Sequence, residues 1–360
     1  MSEAGTPREG RREERRRGRF PGNWFIRILL ILALTVAVAA WLEMRESWLQ
    51  AHFFSEWARD SGYRVEPGEN PDLWLPTDGP YDQRLGYAQL RSAVPKLVTA
   101  GFTVTAKARQ NERFRQLTGR GLFPIYREKS QAGLTVLDRS GESLYATLFP
   151  QRQYDRFEAI PPVVVSSLLF IENRELLDSD HPQRNPAVEW DRFGRAVIGQ
   201  AVRAVDPEGA SRAGGSTLAT QIEKFRHSPG GRTHGAREKL RQMASASLRA
   251  YAGGEDTLEV RRRIVVDFVN SVPLGAVPGV GEVNGLGDGL WAWYGREFSE
   301  ANRLLAAAVE QPAAAAAPFK EALSLFIAQR RPSDLLAENA HRLTELTDSH
   351  LRLLARDVVI

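Results

Sequence analysis

AGGSTLATQIEKFRHSPGGRTHGAREKLRQMASASLR, residues 213–249, opens on a glycine pair and runs on into segments of helical period. Gly214 and Gly215 let a backbone approach a ligand closely. Ser216 and Thr217 are good N-cap residues for the helix that the next positions predict. Leu218, Ile222 and Phe225 recur at i, i+4 and i+7 as an apolar stripe, whereas Thr217, Thr220, Gln221 and Lys224 share a polar face. Free N–H groups at such a helix start, with hydroxyls and a lysine beside them, suit a phosphate or pyrophosphate. Arg232, Arg237, Lys239 and Arg241 follow as a cationic run able to close on the same anion. An ordinary capped amphipathic helix before a solvated basic loop has the same pattern, so spacing alone leaves both readings open.

The residues also carry a resemblance. Gly214-Gly215-Ser216-Thr217-Leu218 with Gln221 and Lys224 resembles the GGSTITQQLAK motif of peptidoglycan glycosyltransferases, glycosyltransferase family 51. These are the transglycosylase modules of penicillin-binding proteins and their monofunctional relatives. Three further stretches match in the family's order. Val136-Leu137-Asp138-Arg139-Ser140-Gly141 resembles the strand that opens the module. Ile160-Pro161-Pro162, leading into Ile171-Glu172-Asn173-Arg174, resembles its second segment, with Asn173 where the family has an aspartate. Val269-Asn270-Ser271-Val272-Pro273-Leu274-Gly275, then Gly281 and Trp293-Tyr294-Gly295, resembles its last. The matches run from 134 to 312.

The resemblance implies a mostly α-helical, lysozyme-like domain with a small membrane-facing lobe, which polymerises lipid II into glycan strands. It makes Glu172 the general base. Gly214, Gly215, Ser216, Thr217, Gln221, Lys224, Arg232, Arg237, Lys239 and Asn270 become substrate-binding residues. The family's second acid is the glutamate of an RKxxE motif. Aligning Lys239 with its lysine puts Glu238 at the arginine and Gln242 at the glutamate, so these two are the candidates for the second catalytic position. The implied partners are lipid II, the nascent glycan, inner-membrane lipid and cell-wall synthesis proteins, with no nucleic acid. No cofactor is implied beyond room for a divalent cation at the pyrophosphate. Two other readings stay open: a degenerate, non-catalytic module that binds lipid II or glycan, and a lytic, glycan-cleaving enzyme that needs one glutamate.

Glu172 draws attention on its own account. Val165, Leu168, Leu169, Glu172 and Leu176 share one face of a helix expected from Val163 to Leu177, and a carboxylate on an apolar face is partly desolvated and more basic. The bland alternative pairs it with Arg174 or Arg195. His181, His227 and His234 are too scattered for a metal site, and no HExxH is present. No SxxK, SxN or KTG set accompanies the module, so a transpeptidase half is not expected.

The net charge is +4, and much of the excess sits in a tail bearing Arg8, Arg11, Arg12, Arg15, Arg16, Arg17 and Arg19. That tail precedes WFIRILLILALTVAVAAWL, residues 24–42, which is long enough to cross a bilayer. The arginine bias places the N-terminus in the cytoplasm and the remainder in the periplasm of a single-pass inner-membrane protein. A cleaved signal peptide ending near Ala37-Val38-Ala39 competes with this. The chain has no cysteine, so neither disulfides nor thiolate chemistry are available to it.

The expected division is a basic tail (1–22), an anchor (23–43), a juxtamembrane α/β module (44–133), the glycosyltransferase domain (134–318) and closing helices (319–360). Further expectations are an amphipathic helix over 43–63, a strand at 102–105 and a hairpin of 134–138 with 144–149. A helix is expected over 187–204 and another over 255–269, with loop from 275 to 289. Asp82 and Arg84 read as plain turn residues.

Overall fold

The computed structural model describes residues 22–190, 216–357 and 359–360. It divides into two compact units, Met1–Met44 and Arg45–Ile360. In the first, helix α1 (Gly22–Glu46) begins; its apolar stretch from Trp24 is exposed along its length and long enough to span a membrane.

The second unit is mostly helical and includes the segment read as a juxtamembrane module. Its first full helix is α2 (Trp48–Arg59). Ser47, just before it, stands at φ 59° and fully buried, and its hydroxyl accepts the Asn185 N–H at 3.2 Å. Strand β1 (Tyr63–Pro67) pairs antiparallel with β2 (Ala106–Gln110), four residues beyond the expected strand start. Between and after them lie α3 (Pro80–Arg84), α4 (Tyr87–Thr99) and α5 (Glu112–Gly119). A small apolar cluster of Ala58, Leu117, Ile125 and Leu248 ties α2 and α5 to the helix carrying Leu248.

The hairpin β3 (Ala132–Leu137) with β4 (Ser143–Phe149) stands where expected. Its turn is set by Asp138, whose carboxylate accepts the Ser140 and Glu142 N–H groups. Helix α6 (Pro162–Glu172) starts on proline at its first position and ends five residues earlier than the apolar pattern predicted. Asn173 leaves helical space there, at φ −160° and ψ 69°. The helix expected over 187–204 lies outside the described residues from 191 onward.

After residue 215 come α7 (Leu218–His227), α8 (Ala236–Ala250) and α9 (Leu258–Ser271). The glycine- and proline-rich run expected as loop instead folds as a hairpin, β5 (Pro273–Val277) with β6 (Gly281–Asn284), and α10 (Leu286–Tyr294) begins within it. Glycines at positive φ, Gly279 and Gly281, let that hairpin turn tightly. Helices α11 (Phe298–Ala306), α12 (Pro312–Ala328) and α13 (Ala340–Arg356) close the unit. Leu168 of α6, Leu218 of α7, Phe268 and Val269 of α9, Leu290 of α10 and Leu325 of α12 meet in the main core, each essentially inaccessible to water.

The back of α7 is held by charge. Asp82, read from sequence as a turn residue, is buried, and its carboxylate accepts the Gly79 N–H at 3.0 Å while lying 2.8 Å from His227 Nδ1. Glu128 lies 2.6 Å from His227 Nε2. Both ring nitrogens therefore face carboxylates, which requires the doubly protonated imidazolium. Arg226 bridges Glu128 at 3.5 Å and Asp267 at 3.4 Å, and Arg249 donates to Glu223 at 2.6 Å and to the carbonyls of Tyr126 and Pro124. Asp82, Glu128 and Glu223 thus balance Arg226, His227 and Arg249 inside the protein. Gly79 fits against this helix because it has no side chain: a Cβ there would lie 1.8 Å from the Arg226 carbonyl oxygen.

Burial alone would depress the His227 pKa, but Glu128 and the hydrogen bond to Asp82 outweigh it and hold it up at about 9, against an ordinary 6.5. A raised histidine contributes stability that is complete below the unfolded value and vanishes as pH rises through the folded one. Burial pushes Glu128 up, yet His227, Arg226 and Arg249 prevail and hold it well below the usual carboxylate range. In thermal melts, wild type should be several degrees more stable than His227→Gln at pH 6.5. That margin should shrink steadily toward pH 9.5; a margin independent of pH would contradict a charged His227.

Candidate active site

Glu172 is the last residue of α6 and is 4% exposed. One carboxylate oxygen accepts from Gln221 Nε2 at 2.9 Å, and the other from Gln329 Nε2 at 3.1 Å and Arg330 at 3.2 Å. The apolar face of α6 thus delivers the carboxylate to a polar junction, where α7 and the end of α12 meet it.

Two clefts of about 500 Å³ each open around this junction. One is largely apolar, with Phe170, Ile171, Leu335 and Leu346 beside Glu172 and Arg342. Its other carboxylate, Asp334, is bonded to the Asn339 side-chain amide. The second cleft is cationic and is lined by Gln221, Lys224, Arg232, Arg84 and Gln329. Arg330 borders both.

The start of α7 differs from the expected anion cradle. Gly214 and Gly215 lie outside the described residues. Thr217 caps the helix: its hydroxyl accepts the Thr220 N–H, while its own N–H is donated to Thr220 Oγ1 at 3.0 Å. The Leu218 N–H is donated to Asn173 Oδ1 at 3.4 Å. The protein therefore satisfies N–H groups that a phosphate was expected to meet, and Thr217 is buried. The positive charge comes instead from side chains.

Lys224 is half-buried on the polar face of α7, over the Phe225 ring. Lys239, in the first turn of α8, donates to Ser216 Oγ at 2.7 Å. Burial lowers the Lys224 pKa; Glu172 opposes this and Arg330 adds to it. Burial, with Lys224 nearby, brings Lys239 down to about 8 from 10.5. Two partly buried lysines, each lowered by burial and by a neighbouring cation, mark a place where an anion is favoured.

The remaining candidates separate. Arg232 stands exposed at the rim of the cationic cleft, whereas Arg237 is exposed and lines neither cleft. Glu238 accepts from Ser228 Oγ at 2.6 Å and lies 3.8 Å from Arg241. Gln242 is buried and donates to the same Ser228 oxygen at 2.9 Å and to Thr233 Oγ1 at 3.0 Å. Both brace the turn from Ser228 to Thr233 rather than reach Glu172. Asn270 exchanges two hydrogen bonds with the Tyr154 backbone, at 2.9 and 2.7 Å, which uses its amide for structure. Sequence reasoning missed Gln329, Arg330, Tyr81 and Arg84. The first two had a signal, a Gln-Arg-Arg run ending an otherwise apolar, alanine-rich helix. Among the described residues, no group of three His, Cys, Asp or Glu side chains could hold a metal ion.

Comparison with known proteins returns one family, whose model is described as transglycosylase and matches residues 141–351. No curated protein matches the chain.

The depressed Lys239 makes anion binding proton-linked. A bound anion restores the lysine's affinity for its proton, so binding weakens as pH rises above about 8. For a soluble pyrophosphate diester, whose own charge is constant here, affinity should fall by about tenfold between pH 7.5 and 9.5. Titration calorimetry should find that fall largely removed in Lys239→Arg; a wild-type affinity flat across this range would contradict the assignment.

Proposed function

The chain belongs to the transglycosylase family, with more than half of its length matched, and from that premise we propose that it is a membrane-anchored peptidoglycan glycosyltransferase polymerising lipid II. The observation that carries the proposal is one carboxylate, Glu172, which lines the largely apolar cleft and is bonded to Gln221, Gln329 and Arg330 of the cationic one. Glu172 takes the proton of the acceptor sugar hydroxyl as that oxygen attacks the donor's anomeric carbon. The bond from that carbon to the donor pyrophosphate breaks, and the pyrophosphate leaves with the electron pair. Lys224 and Lys239 stabilise the developing charge, with Arg232 at the rim. Gln221, Gln329 and Arg330 hold the carboxylate in place and aimed.

The span-length α1 supports a membrane anchor that keeps the protein where a lipid-linked donor is confined. The arginine-rich tail supports a cytoplasmic N-terminus and a periplasmic catalytic unit. The engagement of Glu238 and Gln242 in bracing a turn supports chemistry that runs on Glu172 without either of them.

Labelled lipid II incubated with the detergent-solubilised protein tests this. Wild type should give long glycan strands, and Glu172→Gln should slow polymerisation by about 10²–10⁴-fold with binding retained. Lys224→Ala should weaken binding, while Gln242→Ala should cost little activity. Binding without product in wild type would identify a non-catalytic lipid II module, and cleavage of preformed glycan would identify a lytic enzyme.

A further inference from the structure

The cationic cleft has a wall that does not come from the matched domain. Pro80, Tyr81 and Arg84 line it together with Lys224, and all three precede residue 141, where the family match begins. This wall is fixed in place. Gly79 lies against the α7 backbone at a distance that excludes any Cβ. Asp82, in the middle of α3, grips His227 at the end of α7. The Tyr81 hydroxyl donates to the Lys129 carbonyl, and burial pushes its pKa up to about 12, so it stays protonated. Arg84 is carried at a set position relative to Lys224, because Arg84 and Lys224 each sit within a turn of the Asp82–His227 contact that joins their helices.

The cations of this cleft are not equivalent. Arg226 is buried between Glu128 and Asp267, and Arg330 is bonded to Glu172. The Arg84 side chain is 22% exposed and its carboxylate partner, Glu282 at 3.2 Å, is 75% exposed. A pair with so exposed a partner is worth little and exchanges readily. Its guanidinium also sits 5.8 Å from the ring centroid of Tyr81, which lines the same cleft.

We infer that Arg84 is an oxyanion-binding residue of this cleft, which trades Glu282 for a phosphate or carboxylate oxygen of the substrate. The segment before the matched domain thereby supplies part of the binding site. This rests on the reading of the cleft as the place of the donor's anion. A lipid-linked donor offers two sources of such oxygens, its pyrophosphate and the carboxylates of a peptide stem, and Arg84 serves either by the same bidentate chemistry.

The test uses the full chain in detergent and two probes, a soluble pyrophosphate diester and an acidic pentapeptide. Arg84→Ala should weaken one of them by about tenfold, as loss of a charge-assisted hydrogen bond does. Glu282→Gln, which removes the competitor, should tighten the same probe several-fold. The probe affected tells which oxygen Arg84 meets. Lys224→Ala is the control for the underlying reading. If it weakens binding and Arg84→Ala does not, the inference fails while the cleft assignment stands. If neither matters, or wild type binds neither probe, both fail. Should Arg84→Ala lower the melting temperature, Glu282→Gln carries the test, because its side chain is on the surface and unchanged affinity there overturns the exchange.

Discussion

The His227 imidazolium, held between Asp82 and Glu128, is the contact on which the site's geometry depends. One carboxylate comes from α3 and the other from the segment after α5, so a single ring joins the chain before residue 129 to the end of α7. Buried ion pairs contribute little net stability, because desolvation offsets attraction, but removing one partner is expensive. Such a cluster therefore specifies an arrangement more than it stabilises one. Here it fixes the last turn of α7, while Asn173 and the Thr217 cap fix the first. A helix tethered at both ends presents Gln221 and Lys224 with little freedom to shift.

With α7 held, the two functions of its polar face divide along its length. Gln221 donates to Glu172, and Lys224, one turn later, faces the cationic cleft. The lysine's own burial is unfavourable, and Arg330 nearby makes it more so; an anion relieves both. Binding of an anion there and protonation of the two lysines are thermodynamically linked. The amide donors around Glu172 do the opposite task, satisfying a buried carboxylate without neutralising it. Arg330, bordering both clefts, couples the two environments electrostatically.

Much of this was legible in residues 213–249 and in the apolar run before Glu172. Periodicity placed α7 and its two faces, and a capping residue marked its start, because those signals are local. The meaning of the cap was not local: Asn173 and Thr220 consume N–H groups that spacing alone offered to a phosphate. Asp82 read as a turn residue because its partner His227 is distant in sequence and no short-range pattern links them. The 275–289 run looked like loop because glycine at positive φ serves a tight hairpin as well as an irregular segment. Glu238 and Gln242 stood where a motif position pointed, and only three dimensions show both turned to Ser228.

Charges from outside the matched domain hold the helix bearing the cleft's lysine. Amide hydrogen exchange on the intact protein, followed by mass spectrometry, measures this directly when wild type is compared with Asp82→Asn, which removes the charge and keeps the shape. Residues 221–227 should exchange faster in the variant, by about an order of magnitude or more, while α9 keeps its protection. Equal protection of α7 in the two proteins would contradict the claim.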